Sequence, residues 1–220
     1  MAAVTNRSIG APAAYYLFEG GAALLNALGF TLMLVLQVQV VGLSPFELVL
    51  MGTVLELTLV LFEIPTGVVA DVYSRRRSVL IGAAVIGVSL LVQGLWPIFW
   101  PTLLAQALWG IGYTFISGAV QAWITDEVGE QAVQPVFTRG VQVALGATIV
   151  GTLLAGLLGQ FDLRLPMVFA GVGYLLLAAL LFVVMPETAF QPAPRADRQN
   201  WRHLTQTLRI SIGLARRRPL

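Results

Sequence analysis

The chain contains no cysteine and no lysine, and it has one histidine. Without cysteine there are no disulfides and no thiolate metal sites, and the absence says nothing about compartment. The lone histidine, His203, falls in a polar tail, so a Ser–His pair inside an apolar domain is excluded. No clustered His, Asp or Glu set offers metal ligands, and a membrane enzyme, such as an intramembrane protease, fails on this inventory. No cofactor and no nucleic-acid partner is expected. All 13 cations are arginine, which points to coding bias rather than chemistry. Charge is scarce overall. Only 11% of residues are charged against 57% hydrophobic, with a mean hydropathy of +0.82, and a soluble domain needs a more polar surface than that. In place of charge there are apolar runs of roughly 20 residues, long enough to cross a bilayer, recurring along the chain. The first run is too long for a signal peptide and lacks a basic flank and a small-residue cleavage site, so it should remain as a span.

Six segments can cross about 30 Å of hydrocarbon at about 1.5 Å per residue. They cover 14–41, 46–70, 78–95, 101–124, 139–160 and 166–185. The expectation is an all-α membrane protein, a six-transmembrane-helix bundle over 14–188. Residues 1–13 precede it and a basic linker over 189–220 follows. Short connections imply that neighbouring helices are antiparallel and packed. Arg7, Arg75, Arg76, Arg77 and Arg139 fall on one side with every arginine after Pro186, and only Arg164 falls on the other. The positive-inside rule then places both termini in the cytoplasm. Trp96, Trp100 and Trp123 are expected at the membrane interfaces, where indoles prefer to lie. After the polar stretch Gln191–Arg195, residues Trp201, Leu204, Leu208, Ile212 and Ala215 recur at helical spacing with arginines between them. That pattern predicts a basic amphipathic helix on an anionic surface. The chain then reads as cut at Leu220.

The most informative turn is Gly67-Val-Val-Ala-Asp71-Val-Tyr-Ser74-Arg75-Arg76-Arg77. An acid and three arginines cannot lie in hydrocarbon, so the flanking apolar stretches must enter the membrane on either side. The string resembles the major facilitator superfamily signature between its second and third helices, Gly-x-x-x-Asp-[Arg/Lys]-x-Gly-x-[Arg/Lys]-[Arg/Lys]. Gly67, Asp71, Arg76 and Arg77 match in register, while Val72 replaces a cation and Ser74 the second glycine. The resemblance implies the amino-terminal half of that fold, with Gly67, Asp71 and Arg75–Arg77 in a cytoplasmic gate latch. A plain positive-inside loop is the alternative. The strings Phe62–Asp71 and Ser117–Glu127 are similar to a bacterial branch assigned to drug or metabolite efflux. Two further family motifs are absent. Gln106 stands where the fourth-helix pattern has an arginine before Gly110-Ile-Gly112, and no proline lies between Arg139 and Gln160, where the antiporter motif needs one. Ala147, Gly151, Ala155 and Gly159 instead form a small-residue stripe suited to close helix contact.

Glu19, Glu56 and Glu63 lie inside predicted spans. A carboxylate in hydrocarbon costs about 2.5–3.5 kcal/mol on insertion scales, so each must face a cavity, a partner or the interface, or be protonated. Glu56 is near mid-span, and Glu63 follows seven residues later on the same face. Proton coupling or capture of a cationic substrate stands for Glu56 beside a structural hydrogen bond. Glu19 and Glu63 are assigned to structure or gating. By the resemblance, Asn26, Gln106, Tyr113 and Gln142 are candidates to line a central cavity, although an interhelical hydrogen bond is the weightier reading of each taken alone. Asp126, Glu127 and Glu130 form an acidic loop expected to pair with Arg139 or with Arg75–Arg77; solvated loop charges are the other reading.

The reading is a half-transporter in a bacterial cytoplasmic (inner) membrane, exporting amphiphilic small molecules with protons as coupling ion. Its partners would be the lipid bilayer, a small-molecule substrate, and a missing carboxy-terminal six-helix half or a second subunit. Uptake of a nutrient by the same fold, and a non-transporting membrane subunit, remain as alternatives.

Overall fold

The computed structural model describes residues 10–192; the amphipathic tail expected beyond Gln191 falls outside them almost entirely. Among the described residues the chain forms eight helices: α1 (Ala11–Phe30), α2 (Met33–Gln39), α3 (Pro45–Val72), α4 (Arg75–Leu95), α5 (Phe99–Ile116), α6 (Ala119–Val128), α7 (Val133–Gly159) and α8 (Leu165–Val184). They make six spans long and apolar enough to cross a membrane, because α1–α2 and α5–α6 are each one span with a break. Helix starts follow local chemistry. At α3, Ser44 and Glu47 form a reciprocal capping box, with Pro45 as the first helical residue; both devices satisfy or remove N–H groups that have no intrahelical partner. At α4, Ser74 is the cap, and its Oγ accepts from Arg77 N at 3.0 Å. The turn expected over Asp71–Arg77 therefore shrinks to Tyr73 and Ser74, and the three arginines form the first turn of α4.

Sequence neighbours do not all pack on one another, contrary to expectation. The first and second spans barely touch; instead α1 packs on α7 and α8, α3 on α5, and α4 on both α5 and α8. Exchanging each span for the one three places later leaves these principal contacts unchanged. The protein is thus two interleaved three-span units, and because three is odd they run in opposite directions, an inverted repeat. Both units break their first helix at an equivalent place, after the 20 residues of α1 and the 18 residues of α5. The second break needs Gly118, whose φ of +76° is a left-handed conformation that side chains resist.

Close backbone approach holds the centre. A Cβ at Gly82 would sit 2.5 Å from the Gly112 carbonyl, and one at Gly87 would sit 2.9 Å from the Gly171 carbonyl. These pairs let α4 lie directly against α5 and α8, where small residues replace a hydrophobic driving force. On α7, Gly151 and Ala155 of the small-residue stripe are buried, and Gly151 lies against the Leu24 carbonyl of α1. Helices α3 and α7, which correspond under the repeat, are the least buried spans. Each leaves an apolar face open, with Val49 and Val60 on α3 and Leu145, Ile149 and Leu153 on α7 all exposed.

Candidate functional site

At the arginine-rich end, the first turn of α4 divides its three cations. Arg75 pairs with Asp126, donates to the Ala122 carbonyl at 2.8 Å, and lies 3.7 Å from Asp71. Arg76 donates to the Phe182 carbonyl, and its guanidinium lies 5.5 Å from the centre of the Phe182 ring. Arg77 is exposed. Glu187, which the sequence reading did not single out, closes this cluster. Its carboxylate accepts from Ser74 Oγ at 2.6 Å and from Arg76 N at 2.9 Å, so an anion sits on the N-terminus of α4, where the helix dipole favours it. The next residues are held as well. Glu127 accepts from the backbone N–H groups of Thr188 at 2.6 Å and Ala189 at 3.0 Å, and from Thr188 Oγ1 at 2.7 Å.

Trp123, expected at a membrane interface, is buried within the protein. It is 2% exposed, and its Nε1 donates to the Pro186 carbonyl at 2.7 Å. The break before α6 turns the indole inward, into the junction of α4, α6 and the end of α8. Trp96 and Trp100, by contrast, are exposed at the opposite end. Of the acidic loop, Asp126 and Glu127 join this network, while Glu130 and Arg139 are exposed and make no ion pair among the described residues. Asp71 and Gly67 face outward. The Asp71 side chain is 58% exposed, and a Cβ at Gly67 would meet nothing within 4 Å.

The second feature is a hollow beside the break in the fourth span. On α1, Glu19, Ala23, Asn26 and Phe30 recur at steps of four, three and four residues, one face of a helix. Facing them on α5 are Trp109 and Tyr113, stacked at 5.2 Å between ring centres and 15° between planes, with Phe30 edge-on to Trp109 at 5.2 Å. A cavity of about 270 Å³ is lined by Glu19, Asn26, Tyr113, Ser117, Gly118 and Tyr174 among others. A second, of about 480 Å³, shares Ala23 and Asn26 with it and adds Phe30 and Trp109. Ser117 and Gly118, at the break, line the first cavity. Among the described residues, Asn26 Oδ1 and Trp109 Nε1 are buried here without partners.

The remaining candidates lie elsewhere. Gln106 is 4% exposed and turns toward α4, donating to Gln93 Oε1 at 3.4 Å, so it does not line either cavity. Gln142 is exposed on α7. Glu56 and Glu63 are exposed on the outward side of α3, because Thr58 and Thr66 occupy the side that meets α5. Glu19 is half-buried. Among the described residues it is the one carboxylate lining the two cavities, a role the sequence reading had favoured for Glu56.

A profile of the Major Facilitator Superfamily matches residues 20–220. The chain belongs to the major facilitator superfamily. It is a multi-pass membrane protein of that family, and the inverted three-span repeat accords with its membership. The chain is also 30% identical over 131 residues to an uncharacterized MFS-type transporter, YxaM, of Bacillus subtilis (strain 168). That match covers 58% of this chain and 32% of the relative, about a third of its length.

Proposed function

We propose that this chain is the amino-terminal six-helix part of a proton-coupled exporter of amphiphilic small molecules in a bacterial cytoplasmic membrane. Its arginine-rich end and both termini would lie in the cytoplasm. The observation that supports this best is the hollow along α1 and α5, where an apolar and aromatic wall carries one carboxylate, Glu19. In a transporter of this kind the substrate site lies near the midplane, at broken helices between repeats, and both broken helices of this chain meet there. A second six-helix unit would cover the open faces of α3 and α7 and close the other side of the hollow. Asp71, Gly67 and Arg77, outward-facing at the arginine-rich end, would form the gate contact with that unit. Arg75, Arg76, Asp126, Glu127 and Glu187 would hold the gate's own half rigid.

The test uses the complete reading frame in everted membrane vesicles. Acidifying the lumen should drive accumulation of a fluorescent amphiphile and release protons in step with it; accumulation that ignores the proton gradient overturns the coupling. One observation favours a second reading, uptake by the same fold: α7 contains no proline after Pro135, whereas the family's antiporter motif requires one. Uptake predicts that the same gradient drives substrate out of everted vesicles instead.

A further inference from the structure

We infer that the hollow is a site for organic cations carrying a flat aromatic body, with Glu19 as the counter-charge and Trp109, Tyr113 and Phe30 as the aromatic wall. This names the substrate class of the transporter proposed above and rests on that reading. Charge count is the first argument. Among the described residues Glu19 is the one carboxylate lining the two cavities, and no arginine lines either. A half-buried carboxylate with no cation of this wall beside it is stabilised by a cationic guest and repels an anionic one.

The aromatic wall is the second argument, and it is independent of the first. Trp109 and Tyr113 lie nearly parallel, one helical turn apart on α5, and Phe30 meets the indole edge-on. Ring faces of this kind attract cations and accept flat apolar bodies by stacking. From Glu19 to Phe30 is 11 residues along one face of α1, about 16 Å at the helical rise. A guest can therefore place its charge at Glu19 and its ring toward Tyr113 and Trp109. The two orphaned polar atoms, Asn26 Oδ1 and Trp109 Nε1, lie between and beside these anchors; they would serve hydrogen bonds from and to the guest or water. A third hollow shares Gly118 and Gln121 with the first and is lined by Arg75 as well as by Asp126 and Glu130, so the approach from the arginine-rich end carries charges of both signs.

The test compares two probes of nearly equal shape, N,N,N-trimethyl-2-naphthylammonium and its neutral isostere 2-tert-butylnaphthalene, by quenching of tryptophan fluorescence in the protein purified in detergent. The wild type should bind the cation about tenfold more tightly than the neutral probe, the scale of a partly desolvated charge and ring contact. Glu19→Gln should erase that preference while leaving binding of the neutral probe intact, and Glu19→Asp should keep it. Tyr113→Leu should weaken both probes alike. Equal binding of the two probes by the wild type overturns the inference, without recourse to any variant, and so does a preference that survives Glu19→Gln. Neither result touches the transport reading, which stands or falls on proton-driven flux in vesicles.

Discussion

The arginine-rich end and the hollow lie on either side of the same break at Ser117–Gly118, yet they handle charge differently. Beyond the break, α6 brings Trp123, Asp126 and Glu127 to partners on α4 and on the segment after α8. Charges there are answered by charges, and carboxylates by backbone N–H groups, even though Nε of Arg75 and of Arg76 lacks an acceptor. Before the break, α5 and α1 present an acid, two stacked rings and two polar atoms that the protein leaves without partners. Unpartnered polar atoms occur in both regions, so the difference lies in charge: the carboxylates of the network meet a cation or N–H groups, whereas Glu19 lines the hollow with no arginine of the described residues beside it. The network therefore reads as a clamp, and the hollow as a place open to a guest.

The severest way to break the comparison is to remove the frame both regions share. Gly82→Leu would drive a side chain into the Gly112 backbone, 2.5 Å from where its Cβ must go. Backbone cannot yield as a side-chain tip can, and overpacking costs about 1–3 kcal/mol or more. The variant should fail to accumulate as a monodisperse protein in detergent, as judged by gel filtration. Recovery at the wild-type level would mean that α4 and α5 do not lie as close as described.

Next in size is the clamp. Arg75→Gln leaves Asp126 without its cation and strips the Ala122 carbonyl of its donor. The pair is partly solvated, with side chains 20% and 29% exposed, so the loss should be about 1–2 kcal/mol, below that of a fully buried pair. Glu187→Gln should cost about 1 kcal/mol, because an amide cannot offer two acceptor oxygens to Ser74 and Arg76 at the start of α4. Thermal unfolding in detergent measures both. A double variant with Asp126→Asn should lose less than the sum of its parts if the ion pair is real. An additive result would show that Arg75 and Asp126 do not act together.

These regions were legible to different degrees in the sequence. The six spans can be read because hydropathy accumulates over about 20 neighbouring residues and needs no knowledge of what packs on what. Asp71 and the arginines were legible as the boundary between two spans, since charge cannot be hidden in hydrocarbon, although all four lie in helix and the turn itself is only Tyr73 and Ser74. Glu187 was not, because its partners Ser74 and Arg76 lie 113 and 111 residues away and a carboxylate just after a span looks like any solvated end. The break at Gly118 is equally silent, being one of 22 glycines in the chain with only its φ to mark it. Glu56 drew attention by its depth in the span. Depth along a helix is readable from sequence, but which side meets a neighbour depends on the packing of α3 on α5. The helical stripe Glu19–Asn26–Phe30 was present as spacing, but its aromatic counterpart, Trp109 and Tyr113, becomes meaningful only once α1 and α5 face each other.

The smallest expected change in stability is also the sharpest contrast with the clamp. Asn26→Leu replaces a half-buried amide whose Oδ1 has no partner with an isosteric apolar group. Leaving an acceptor buried and unpaired carries a desolvation cost, and removing it is close to neutral or mildly stabilising. Thermal unfolding should therefore shift by no more than about 1 kcal/mol, and upward if at all. Binding to the hollow should nonetheless weaken, because Asn26 lines both cavities. Stability retained while binding falls is what separates a group kept for a guest from a group kept for the fold. If Asn26→Leu instead destabilises as strongly as Arg75→Gln, the amide belongs to the packing of α1 and the hollow loses its claim to be different from the clamp.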